Sequence, residues 1–194
     1  MNKLSIENLY SLEEYAKLRK DFRARVMEHK KNRQLAIGPN ATLYFEDALT
    51  MQYQVQEMLR IERIFEAEGI QEELDAYNPL IPDGSNWKST FMMEYPDPEE
   101  RRQRLAGLIG VEDKVWVQVA DFSRVYAIAD EDLEREDAQK TSSVHFLRFE
   151  LTPEMAQAAR DGAAISAGID HTNYTYSVDP VPEKLRASLA ADLD

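Results

Sequence analysis

The chain predicts an α+β fold: a mixed, mainly antiparallel sheet with two long N-terminal helices packed against it. Three observations lead there. Residues 12–32 and 47–68 carry apolar side chains at helical spacing. Short β-branched and aromatic runs dominate from Ser89 onward. The connections between those runs are too varied for a doubly wound parallel sheet. The 194 residues hold no repeat and no linker long enough to separate independent units. The expectation is one domain over 1–194, with a helical N-terminal half (1–77), a strand-rich half (88–179) and a C-terminal helix (182–192).

Each element has a local reason. Ser11-Leu12-Glu13-Glu14 has the form of a capping box and opens the first helix. Gly38-Pro39-Asn40 is a turn, and Thr42-Leu43-Tyr44-Phe45 is β-prone. Asp47 caps the second helix, which the pattern carries to about Glu68 before Gly69 stops it. Gln71-Glu72-Glu73-Leu74 adds one or two turns. Asn78 to Gly84, with two prolines and an Asp-Gly pair, is a loop. Ser89 to Tyr95 reads as a strand. Asp97-Pro98-Glu99-Glu100 starts a helix that ends near Gly107 to Gly110. Lys114 to Ala120 is the strongest strand signal, with a hairpin partner at Val125 to Ile128 and a charged segment after it. Val144 to Leu151 is a strand, Thr152-Pro153-Glu154 opens a helix that Gly162 ends, and Ala163 to Ile169 is a strand again. That strand–helix–strand run allows one right-handed parallel crossover. Thr172 to Val178 continues the last strand past a bend, and Pro182 starts the final helix.

Each long helix places a charge inside its apolar stripe. At 100° per residue, Glu62 falls among Met51, Val55, Met58 and Phe65, and Arg19 falls among Leu12, Tyr15, Phe22 and Val26. An interior charge is costly unless paired, so the pattern predicts an Arg19–Glu62 contact between the helices. A buried carboxylate among Glu57, Arg60, Glu62 and Arg63 also suits proton transfer, but a structural pair explains the spacing with fewer assumptions.

Composition narrows function. No apolar run approaches the roughly 18 residues of a membrane span, and the first residues lack a signal peptide's apolar centre, so a cytoplasmic location without membrane association is expected. The chain has no cysteine, which excludes disulfides, thiolate nucleophiles and Cys-ligated clusters. The net charge is −13, yet residues 1–33 hold nine Lys and Arg against five Asp and Glu, and the remainder holds 14 against 31. Phosphate binding depends on Lys and Arg, so specific nucleic-acid binding is not expected. Walker, Gly-x-Gly-x-x-Gly, Gly-x-Ser-x-Gly and His-Glu-x-x-His motifs are all absent.

The chemistry-bearing residues that stand out are Asp170-His171, with Tyr174 three residues on, and His145 in Val144-His145-Phe146. A histidine can be a ligand or general base, and a neighbouring carboxylate can orient it. Asp170, His171, Tyr174 and His145 are therefore the candidate pocket, and His145, His171 and Asp170 the candidate ligands for Fe, Mn or Zn. His145 equally suits a hydrogen-bonded core histidine, since it shares a strand face with Leu147, Phe149 and Leu151. No catalytic residue is assigned.

Three segments together carry a resemblance: Gln54 to Arg63, Glu72-Glu73-Leu74-Asp75-Ala76-Tyr77-Asn78-Pro79-Leu80-Ile81-Pro82, and Ile169-Asp170-His171-Thr172-Asn173-Tyr174. The chain resembles, over nearly its whole length, a bacterial family of uncharacterised proteins, domain of unknown function family 3501. The family commonly has Asp-His-Pro-Asn-Tyr, with proline where this chain has Thr172. Such families are often encoded near rubrerythrin-like proteins and iron–sulfur oxidoreductases, so the resemblance implies a redox or oxidative-stress setting and supplies no catalytic residues. The expected role is a non-catalytic accessory or binding protein with a redox protein as partner. The alternative is a metal-dependent or acid–base enzyme using Asp170, His171 and His145.

Overall fold

A computed structural model describes residues 3–133, 135 and 139–194. The chain is α+β with antiparallel pairing. Its elements run α1 (Leu12–Lys30), β1 (Gln34–Ile37), β2 (Ala41–Phe45), α2 (Ala48–Glu62), α3 (Ala67–Tyr77), β3 (Asn86–Met93), α4 (Pro98–Ala106), β4 (Val115–Val119), β5 (Val125–Tyr126), β6 (Ile128–Ala129), β7 (Val144–Glu150), α5 (Pro153–Arg160), β8 (Ile165–His171), β9 (Tyr174–Val178) and α6 (Glu183–Ala190).

The strands form two sheets where one was expected, in the orders β1-β2-β3-β7-β6 and β5-β4-β8-β9. β7 and β8 belong to different sheets, so the helix between them makes no parallel pair. Thr172 and Asn173 turn the chain back, and β9 pairs antiparallel with β8 instead of extending it. The main core joins both sheets. It contains Leu43, Phe91 and Phe149 from one, Val117, Ile165 and Ile169 from the other, and Leu105, Ala159 and Leu189 from α4, α5 and α6. The segment after β4 passes between sheets within a few residues: Val125 and Tyr126 pair with β4, and Ile128 and Ala129 pair with β7.

The caps read from the sequence are made. Ser11 and Glu14 bond reciprocally, and Asp47, Asp97 and Thr152 each accept from the amide three residues on. Helix α2 is shorter than expected. Arg63 takes a left-handed conformation (φ 56°), its amide bonds back to Leu59, and the helix ends at Glu62. A third helix, α3, replaces the expected turn or two. The N-terminal helices bury side chains chiefly among themselves, in one cluster around Tyr15, Phe22 and Val26 and a second around Val55, Leu59 and Leu74.

Arg19 meets Glu57 and not Glu62. The buried face of α2 runs through Met51, Val55 and Leu59, which leaves Glu62 exposed at the helix end. Arg19 binds Glu57 through two nitrogens, at 2.7 and 2.9 Å, and the Tyr15 hydroxyl donates to the same carboxylate at 2.7 Å. The Arg19 hydrogen bonds hold the Glu57 carboxyl down from the ordinary 4.5 to about 2, with Tyr15 and Arg60 adding to the effect. Burial and the Glu57 bond push the Tyr15 hydroxyl up.

A depressed carboxyl stabilises the fold above its unfolded pKa and loses that contribution as pH falls through the folded value. The stability gap between the native chain and Glu57→Gln is thus expected to be full at neutral pH and to narrow from about pH 5 towards pH 2. Urea unfolding across that range measures it. A gap independent of pH would contradict the Arg19–Glu57 assignment.

Candidate functional site

His145 lies fully buried on the core face of β7, opposite Phe91 of β3. An imidazole there requires polar partners, and three connecting segments bring them. The Nδ1 nitrogen lies 2.6 Å from Asp130 Oδ2. On the other side, Nε2 lies 2.9 Å from the Thr141 hydroxyl and 3.1 Å from the Ser142 carbonyl. Glu112 Oε2 stands 3.8 Å from Nε2 and accepts from Thr141 at 3.3 Å. Glu112, Asp130 and His145 can each aim one ligand atom so that all three lie within 4.8 Å of one another.

The fold fixes these carboxylates. Asp130 follows the passage between sheets and has φ 50°, a conformation that Asp tolerates better than most residues. Its amide bonds the Phe146 carbonyl, and its Oδ1 accepts from the Phe146 amide at 2.9 Å and from Arg135 at 3.1 Å. Arg135 in turn covers the Phe146 ring. Glu112 starts a short 3₁₀ turn between α4 and β4 and is almost fully buried. Thr141 is held to α4 by a backbone bond to the Leu105 carbonyl. It also lines a cleft of about 300 Å³ with Arg101, Arg135, Lys140, Ser142 and Ser143.

The other residues singled out from sequence lie elsewhere. His145 and His171 occupy different sheets and, among the described residues, share no hydrogen-bond partner. Asp170 and His171 are adjacent in β8, so their side chains leave on opposite faces. Asp170 accepts from Arg124 at 2.6 Å and from the Tyr126 hydroxyl at 2.8 Å, and Arg124 lies over the Trp116 ring. Burial alone would raise Asp170, but Tyr126, Trp116 and Arg124 outweigh it and hold the carboxyl low. His171 spends both ring nitrogens on backbone: Nδ1 accepts from the Asn173 amide, and Nε2 lies 3.1 Å from the Ile109 carbonyl. The expected grouping of His145, His171 and Asp170 around one metal therefore does not form.

Tyr174 is a post. Its hydroxyl accepts from the Asn40 amide at 2.9 Å and donates to the Ile37 carbonyl at 2.8 Å, which joins the β8–β9 hairpin to the β1–β2 turn. Gly38, at φ 74°, has no room for a side chain: a Cβ would lie 2.6 Å from the Tyr176 ring. Beside this junction is a cleft of about 520 Å³, bounded also by α4 and lined by Asn40, Tyr95, Gln103, Arg104, Asn173 and Tyr176 among others. Burial raises the Tyr95 hydroxyl, opposed by nearby Arg104.

The sequence reading missed Glu112, Asp130 and Thr141, which occupy irregular segments with no motif spacing to His145. It also missed Tyr95 and Arg104. The one available signal was Asp130 at the head of a charged segment beyond a strand pair.

The sequence matches the family described as protein of unknown function (DUF3501) over residues 3–193. The chain belongs to this family. A crystal structure of a novel protein of unknown function from Burkholderia pseudomallei is similar at 51% identity and a TM-score of 0.95, with 100% of each chain covered. No curated protein matches. Among the described residues, no helix is long and apolar enough to cross a membrane.

Replacing His145 by Phe would leave Asp130 and Glu112 facing an apolar ring. A loss of roughly 2–4 kcal/mol in urea unfolding is expected, with a smaller loss for His145→Gln, which retains polar atoms. A change under about 1 kcal/mol for both would mean that the carboxylates do not depend on the imidazole.

Proposed function

We propose that the protein is a metal-binding accessory protein that holds one divalent cation between Glu112, Asp130 and His145 and works beside a redox partner. The observation that carries this reading is the convergence of one imidazole nitrogen and two carboxylate oxygens within 4.8 Å in a largely buried setting. A cation would take the place of the direct contact between the imidazole and the Asp130 carboxylate. Imidazole with carboxylates, in a chain without cysteine, suits Fe(II), Mn(II) or Zn(II) over soft ions.

Burial favours holding an ion over turning over a substrate. Catalytic metal sites keep an open position, whereas here Thr141 and the Ser142 carbonyl crowd Nε2. The alternative enzyme with Asp170, His171 and His145 loses support from their separation. The redox partner rests on the setting that the family resemblance implies. The acidic balance outside residues 1–33 suits a basic protein face better than nucleic acid, and a cytoplasmic location fits the cysteine-free composition.

Chelator-treated protein titrated by calorimetry with Mn(II), Zn(II) or anaerobic Fe(II) is expected to bind one equivalent and release protons. It should also melt at a higher temperature when loaded. Asp130→Asn, which keeps the left-handed backbone, and His145→Gln are expected to lose uptake while retaining native circular dichroism. Absent saturable uptake, or equal uptake by both variants, would overturn the proposal.

A further inference from the structure

We infer that the cleft between the β1–β2 turn, α4 and the β8–β9 hairpin binds a small planar aromatic carboxylate. This site is separate from the Glu112–Asp130–His145 cluster, and the inference does not depend on metal binding. The leading observation is Tyr95. It is 6% exposed and lines the cleft, and its hydroxyl makes no hydrogen bond among the described residues. The ring is buried while the hydroxyl opens to the cleft, where it can donate to a ligand in exchange for water.

Charge points the same way. The chain has 36 Asp and Glu, yet among the described residues none lines this cleft and Arg104 is the sole charged side chain in its wall, with Glu100 standing behind it. The Arg104 hold on Glu100 is long, at 3.4 Å through Nε, so the rest of its guanidinium remains available. One guanidinium and one phenol donor match a monoanionic carboxylate. A phosphate dianion would call for a second cation or a run of backbone amides, and the lining offers neither.

Aromatic surface sets the ligand's shape. The rings of Tyr174 and Tyr176 pack against each other at 4.8 Å, and one side of Tyr176 is pressed on Gly38. Tyr176 is 45% exposed, so its remaining surface is open to a flat partner. The volume of about 520 Å³ lies within the range of small-molecule sites, around 300–1,000 Å³. The Tyr174 hydroxyl, already bonded twice, shapes the wall and makes no ligand contact.

The test uses naphthoate as probe, neutral naphthamide as its isostere, and the full chain, followed by calorimetry and saturation-transfer NMR. Naphthoate is expected to bind saturably at submillimolar to millimolar concentration. Naphthamide, and naphthoate on Arg104→Gln, should each bind about tenfold more weakly, the scale of one charge-assisted hydrogen bond. Tyr95→Phe should weaken binding several-fold, and Arg102→Gln, outside the cleft, should leave it unchanged. Absence of saturable binding overturns the inference. So does equal affinity for naphthoate and naphthamide, or binding indifferent to both Arg104→Gln and Tyr95→Phe.

Discussion

A fully buried imidazole at the end of β7 imposes its needs on three otherwise unrelated segments. His145 faces a core of Phe91, Leu147 and Phe149, where an unpaired ring nitrogen would cost more than most core contacts return. Both nitrogens are met, but only because the chain crosses from one sheet to the other just before Asp130, because α4 delivers Glu112 into a 3₁₀ turn, and because Thr141 is pinned to the end of α4. The positive φ of Asp130 is the visible backbone cost of this arrangement. The same convergence of a positive φ, two carboxylates and one imidazole is what the proposed cation site would draw on.

A second buried network ties the helical layer to the sheets. Arg33 is 2% exposed and spends its guanidinium on the Phe45 and Glu46 carbonyls, the Ser188 hydroxyl and both oxygens of Asp192. It thereby clamps the end of α1 and the β2–α2 turn onto α6, while Trp87 donates to the Leu189 carbonyl from the core side. Burial raises Asp192, with Arg33 pulling the other way. Burial alone would also raise Asp47, but Arg33, the Thr50 amide and His29 prevail and hold it low. Such a network contributes geometry more than stability, since an apolar replacement of the whole set can be near neutral. What it secures is the placing of α1 and the start of α2 relative to α6.

Much of the fold was legible because its signals are local. Caps at Ser11, Asp47, Asp97 and Thr152, and the apolar alternation around Trp116 and Phe146, need only neighbours within a few residues. Whether strands share a sheet depends on long-range pairing, so the division into two sheets left no trace in the periodicity. The Arg19 partner was misread by more than one turn of helix, because a stripe drawn through Met58 and Phe65 ignores the left-handed stop at Arg63. At the candidate site, His145 was visible as an oddity on an apolar strand face. Its partners were not, since irregular segments carry no periodicity to place Glu112 or Asp130. Asp170 and His171 looked like a unit because adjacency in sequence suggests contact, whereas in a strand adjacency sends side chains apart.

A cation held in the proposed site would take one of its ligands from the His145 imidazole. Electron spin-echo envelope modulation on the Mn(II)-loaded protein reads directly bound imidazole nitrogen without reference to activity. Modulation from directly bound ¹⁴N is expected in the native chain, and its disappearance in His145→Gln. Modulation that persists in that variant, or a spectrum with no nitrogen coupling in the native chain, would contradict it.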